Sequence, residues 1–99
     1  MIVAFSVAPS GTGREDGSVH DAVAAAVKVV RDSGLPNRTS SMFTEVEGEW
    51  DEVMAVVKAA TEAVGAYGSR VSLVLKADIR PGFTGEIYGK LERLEKALE

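Results

Sequence analysis

Within Thr44-Glu45-Val46-Glu47-Gly48-Glu49-Trp50-Asp51 the chain changes its hydrophobic period, and no other feature restricts its fold as much. Upstream, Met42, Thr44 and Val46 alternate with Phe43, Glu45 and Glu47, which is the period of a strand. Downstream, Val53, Val56, Val57, Ala60 and Val64 recur at helical spacing. A strand must therefore pass into a helix across a single glycine. The same junction gathers Glu47, Glu49, Asp51 and the only tryptophan, so polar and recognition chemistry is concentrated there.

The remaining segments fit around this junction. Ile2 to Ala8 reads as a strand with Val3, Phe5 and Val7 on one face and the smaller Ala4, Ser6 and Ala8 with Ile2 on the other, and Pro9-Ser10-Gly11-Thr12-Gly13 is expected to break it. Ser18 and Asp21 mark a helix start, Ala22, Val23, Ala26, Val27 and Val30 form its stripe, and Gly34 is placed to close it in the left-handed conformation. His20, the only histidine, reads as a surface residue of the first turn. After the turn Leu35-Pro36-Asn37, the segment Arg38 to Ser41 is either a weak edge strand hairpinned to Phe43–Glu47 or the start of one longer, bulged strand. The second helix is expected from Trp50 to Ala66, with Asp51 and Glu52 complementing its dipole. Arg70 to Asp78 alternates as a strand, and Glu86 to Leu98 is a charged helix with Ile87, Leu91, Leu94 and Leu98 on one side.

Strand, helix, hairpin, helix, strand, helix is the order of an α+β, ferredoxin-like βαββαβ sandwich with an additional C-terminal helix, in one domain of 99 residues. Helices cover one sheet face. The other, carrying Ser6, Ser72 and part of the Thr44 strand, has nothing in this reading to cover it and is expected to meet a second copy. A formal charge of −4 with scattered lysines and arginines argues against a nucleic-acid partner, and no apolar run approaches the roughly 20 residues of a membrane span. A cytoplasmic location is the default, and with no cysteine there is neither a disulfide framework nor a thiolate metal site. No nucleophile–base pair or metal constellation has recognisable spacing, so an enzyme is not expected.

Several short pieces in order, Phe5-Ser6-Val7 with Pro9 and Gly11-Thr12, Ser33-Gly34-Leu35, Met42 with Thr44, Glu47-Gly48-Glu49-Trp50-Asp51-Glu52-Val53, and Arg70-Val71 with Lys76 and Asp78, give the chain a likeness to a known group. It resembles the YkoF-like family of small thiamine-binding proteins, formerly a domain of unknown function. Phe43 and Glu45 depart from the family pattern, which has a glycine and an aliphatic residue there. The resemblance implies a domain assembled as a homo-oligomer, dimer or tetramer, through its sheet, which binds thiamine or its hydroxymethylpyrimidine moiety as a ligand without transforming it and uses no cofactor. Such a ligand needs negative charge or an aromatic face for the thiazolium and paired donors and acceptors for the pyrimidine edge. Glu47 and Asp78 are candidates for the cation or amine, Ser6, Thr44 and Ser72 for ring nitrogens, and Met42 or Trp50 for stacking. Each has a plainer alternative: Trp50 as a packing residue, Glu47 as a cap of the second helix, Asp78 in a surface ion pair with Arg80 worth under ~1 kcal/mol. A structural or regulatory module, self-associating through the open face, is the competing reading.

Overall fold

The computed structural model describes residues 1–11 and 19–99. Their elements run β1 (Ile2–Ser10), α1 (His20–Asp32), β2 (Asn37–Thr39), β3 (Thr44–Glu47), α2 (Trp50–Gly65), β4 (Arg70–Asp78) and α3 (Glu86–Leu98). The strands form one antiparallel sheet in the order β2-β3-β1-β4, which is the ferredoxin-like topology, and α3 is the added helix. Between α1, α2 and the covered face of the sheet lies the core, whose fully buried Val3, Val30, Val46, Val53 and Val64 are each worth about 1.5–3 kcal/mol of burial. No helix among the described residues is long and apolar enough to cross a membrane.

The local chemistry accounts for the element ends. Gly34 adopts φ +77 just past α1, as a left-handed C-terminal position favours. At the start of α2 the Glu52 carboxylate accepts the Glu49 N–H at 3.2 Å in a capping-box arrangement. Ser18, expected to cap α1, and Thr12 and Gly13 of the expected loop lie outside the described residues. His20 is the exposed first residue of α1, with Nε2 3.3 Å from an Asp21 carboxylate oxygen.

Between the two readings of 38–47 the structure has the hairpin. Ser40 N–H donates to the Phe43 carbonyl at 2.9 Å, and the Ser40 hydroxyl donates to the same carbonyl at 3.1 Å and accepts the Phe43 N–H at 3.3 Å. The strands are shorter than the sequence suggests, Asn37–Thr39 and Thr44–Glu47. β1 is longer, because Pro9 does not break it. Register pairs Pro9 with Val71 on β4, whereas β3 has ended opposite Phe5, so the missing proline donor falls where no described strand would accept it.

Pairing also fixes where each main-chain group points. Met1 and Gly48 exchange hydrogen bonds at 2.7 and 3.1 Å, and the Glu47 N–H donates to the Pro36 carbonyl at 2.9 Å. Since successive strand residues direct their N–H and C=O to opposite sides, Val3, Phe5 and Val7 face the β3 side and Ala4, Ser6 and Ala8 face β4. Side chains follow the register. Val3 opposite Val46 and Phe5 opposite Thr44 lie on the helix-covered face, and Ile2 opposite Glu47 lies on the open one. Thr44 is therefore buried beneath the helices, and the part of its strand that belongs to the open face is Glu45 and Glu47.

Candidate functional site

Because β1 outruns β3, the sheet has a notch. Its floor is the free side of β1 from Ser6 to Ala8, one wall is α1 with Val23 and Val27, and the other is the hairpin turn with Met42 and Phe43. The cavity holds about 270 Å³. Val7 is 7% exposed, and its N–H and C=O point into the notch with no described strand opposite them. Thr44 stands at the end of β3 with its hydroxyl 3.5 Å from that of Thr39. Met42 and the half-open Phe43 offer a thioether and an aromatic ring at the mouth. None of the described lining residues is titratable, so the notch presents an apolar cleft with hydroxyls and one main-chain donor–acceptor pair.

Three of the seven residues singled out in the sequence, Ser6, Met42 and Thr44, line this notch. The other four do not. Trp50 is exposed at the first position of α2 and shares a separate groove of about 170 Å³ with Glu49, Arg80 and Phe83, where the Arg80 guanidinium lies 3.5 Å over the Phe83 ring. Ser72 is exposed on β4, opposite Ala8 on the open face. Glu47 and Asp78 lie at the far end of β1, flanking Ile2, about 17 Å along the strand from Val7.

At that end both carboxylates hold α3. Glu47 is buried and accepts the Glu86 N–H at 3.0 Å and the Ile87 N–H at 3.1 Å, one on each oxygen. It caps the third helix across 39 residues of sequence, not the second, and its charge meets the positive end of the α3 dipole. Asp78 is hydrogen-bonded to Lys90 of α3, where the sequence suggested Arg80. Glu86 accepts from Arg93 at 2.6 Å, with Arg80 at 3.9 Å. The open face is thus covered at its Glu47 corner by the first turn of α3, while the rest of that helix stays exposed.

These pairs tie the seating of α3 to pH. The hydrogen bond from Lys90, with its charge, holds the Asp78 carboxyl below its ordinary range, and the hydrogen bond from Arg93 does the same for Glu86 against the opposing effect of burial. A carboxyl whose pKa is lowered by folding contributes stability above its unfolded value and loses it as pH falls through the folded one. Thermal melts are expected to be level from about pH 7 to 5 and to fall below about pH 4. In a Lys90→Gln/Arg93→Gln variant that acid slope should flatten; an unchanged slope would assign acid sensitivity to other groups.

The sequence reading passed over Val7, whose contribution is main chain and leaves no trace in residue type. The available signal was the mismatch between a long apolar alternation at Ile2–Ala8 and a short one before Glu47. Lys90 and Arg93 belong to the charged side of α3, and charge alone does not distinguish a solvated face from a tether.

Comparison with known proteins bears on what occupies such a fold. The family model described as thiamine-binding protein matches residues 3–95. The chain belongs to the thiamine-binding protein family. A UPF0045 protein of Mycobacterium bovis is 52% identical over 99 residues, covering 99% of this chain and 94% of that protein. Among solved structures, a hypothetical protein of Methanocaldococcus jannascii superposes with a TM-score of 0.84 at 31% identity, over 95% of this chain and 94% of the other. A Thermotoga maritima protein provisionally assigned to thiamine biosynthesis or salvage superposes with a TM-score of 0.75 at 28% identity, over 93% of this chain and 97% of its own. Family membership and the agreement with these solved structures make the ferredoxin-like sheet the framework on which the notch, the Trp50 groove and the α3 seat are built.

Proposed function

We propose that the chain binds a thiamine-type ligand by its aminopyrimidine half in the notch, and releases it unchanged. The main chain of Val7 carries this reading. Its N–H and C=O face no described strand, and an aminopyrimidine sets an amine donor beside a ring-nitrogen acceptor, which matches that pair as a neighbouring strand would. Thr44 and the turn hydroxyls supply further polar contacts, and Met42 and Phe43 a face for the ring. A volume of about 270 Å³ is near the low end for small-molecule sites, roughly 300 Å³, and suits one substituted ring better than a two-ring ligand. The described lining has no carboxylate for a thiazolium, so hydroxymethylpyrimidine is the favoured form, with thiamine leaving its cationic ring outside.

Titration calorimetry with hydroxymethylpyrimidine, thiamine and thiamine diphosphate tests this. Hydroxymethylpyrimidine is expected to bind at micromolar strength, about −8 kcal/mol. Thr44→Val, which keeps the shape and removes the hydroxyl, should weaken it about tenfold, and Val23→Trp, which fills the mouth from α1, should abolish it. No heat from any of the three ligands would overturn the proposal. The second reading, a self-associating structural or regulatory module, is favoured by α3, on which Tyr88, Leu91, Leu94 and Leu98 stay exposed and Ile87 alone of the apolar residues is buried. A homodimer or tetramer formed through the open sheet face would cover part of this surface. If Val23→Trp changes the mass by light scattering in step with binding, the interface reading gains; if mass holds while binding is lost, the notch is a site in its own right.

A further inference from the structure

Arg80 is a surplus cation at the α3 corner. Glu47 answers the α3 dipole, Asp78 holds Lys90, and Glu86 takes Arg93 at 2.6 Å, so the three carboxylates there are satisfied without it. Its contact with Glu86 is loose, at 3.9 Å, and its side chain stays 54% exposed against 10% for that of Glu86. Among the described residues nothing accepts a hydrogen bond from its guanidinium. What fixes the group is the Phe83 ring, 3.5 Å away, in a turn closed by the Phe83 N–H on the Arg80 carbonyl at 3.3 Å. A guanidinium stacked on a ring keeps its N–H fork in its own plane, open to a bidentate acid.

We infer that the Trp50 groove is a second ligand site, for a planar aromatic ring bearing an oxyanion, carboxylate or phosphate, with Arg80 forked on the acid and Trp50 against the ring. Around this fork the groove sets three exposed apolar side chains, Trp50, Ile79 and Phe83. Large apolar groups clustered about one unpaired cationic fork suit a ligand that is apolar and anionic at once. Glu49, the acid of the lining, belongs to the capping box of α2. A volume of about 170 Å³ is roughly half of the 300 Å³ at which small-molecule sites begin, so it admits a single ring. Neither hydroxymethylpyrimidine nor thiamine carries the acid this groove calls for. It is therefore not a second place for the ligand of the notch.

Trp50 is the only tryptophan, so its indole N–H gives a single NMR resonance that reports on this groove. Phenyl phosphate and benzoate are the probes, with inorganic phosphate as the ringless control and benzyl alcohol as the uncharged one. At least one of the two aromatic acids is expected to shift that resonance saturably, with a submillimolar dissociation constant at least tenfold tighter than either control. Arg80→Gln should weaken this binding tenfold or more. Phe83→Leu, which removes the ring that holds the guanidinium, should weaken it about threefold. Glu86 keeps Arg93 in both variants, so α3 stays seated and the melting temperature is expected to hold. Hydroxymethylpyrimidine should leave the indole resonance in place. A notch that gives no heat with it leaves these expectations standing, so the two sites fail independently. No saturable shift from either aromatic acid, equal binding of inorganic phosphate or benzyl alcohol, or an affinity unmoved by R80Q would each overturn the site.

Discussion

Glu47→Ala is expected to lower the melting temperature by about 10–20 °C and to free the start of α3 for hydrogen exchange. The carboxylate is buried and each oxygen holds one N–H of the first helical turn. Hydrogen bonds to a charged group contribute about 1.5–3 kcal/mol, and with the burial of Ile87 and the Lys90 and Arg93 pairs left in place a total loss of roughly 2–3 kcal/mol follows. For a domain of this size each kcal/mol moves the midpoint by about 4–8 °C. Glu47→Gln keeps one acceptor and loses the charge that faces the helix dipole, so it should fall about midway. The diagnostic readout is the Ile87 amide. If it remains protected in Glu47→Ala, α3 is seated by something other than this carboxylate.

Gly68→Ala is the second large effect. A Cβ at Gly68 would stand 2.5 Å from the Ser10 carbonyl oxygen and 3.0 Å from Pro9 Cβ, both on the end of β1, so backbone must move to admit one methyl. Overpacking of this kind costs about 1–3 kcal/mol, and with backbone as the obstacle the upper half of that range is expected. The urea midpoint should fall by roughly 1–2 M. Because Pro9 and Ser10 continue the strand that floors the notch, ligand affinity should fall in the same variant at temperatures where it remains folded. Gly82→Ala, at φ +83 with nothing near its Cβ, provides the contrast: about 1 kcal/mol of backbone strain and no effect on binding. Equal midpoints for the two variants would mean that the close approach at Gly68 relaxes without cost.

The elements that sequence defines best are those with a strong period and clean punctuation. β4 between Gly68 and Arg80-Pro81, and α3 after Gly85, have the bounds their patterns suggest, and α2 ends one residue early. Parity could have been read further. Val46 must face the core, and residues two apart share a face, so Thr44 beside it is covered as well and the outward part of this strand is Glu45 and Glu47. The partners of charged residues are a different matter. Glu47 meets α3 and Asp78 meets Lys90 through contacts set by how the last helix leaves the sheet, which no local pattern encodes. Pro9 misleads for a similar reason, since a proline disrupts a strand only on a side where a neighbour needs its donor, and that depends on the length of β3. The notch is invisible in sequence on the same ground. It is made by the difference in length between two strands.

That difference separates what the domain keeps from what it can vary. The valine core lies under the paired part of β1 and β3, and the opening lies beyond it, bounded by the Ser40–Phe43 turn. Insertions at that turn would extend the hairpin along β1 and narrow the opening, leaving every core contact in place. Ligand size is thus adjustable by a few residues in one exposed loop, a route by which sequences on this framework can diverge in specificity at little risk to folding.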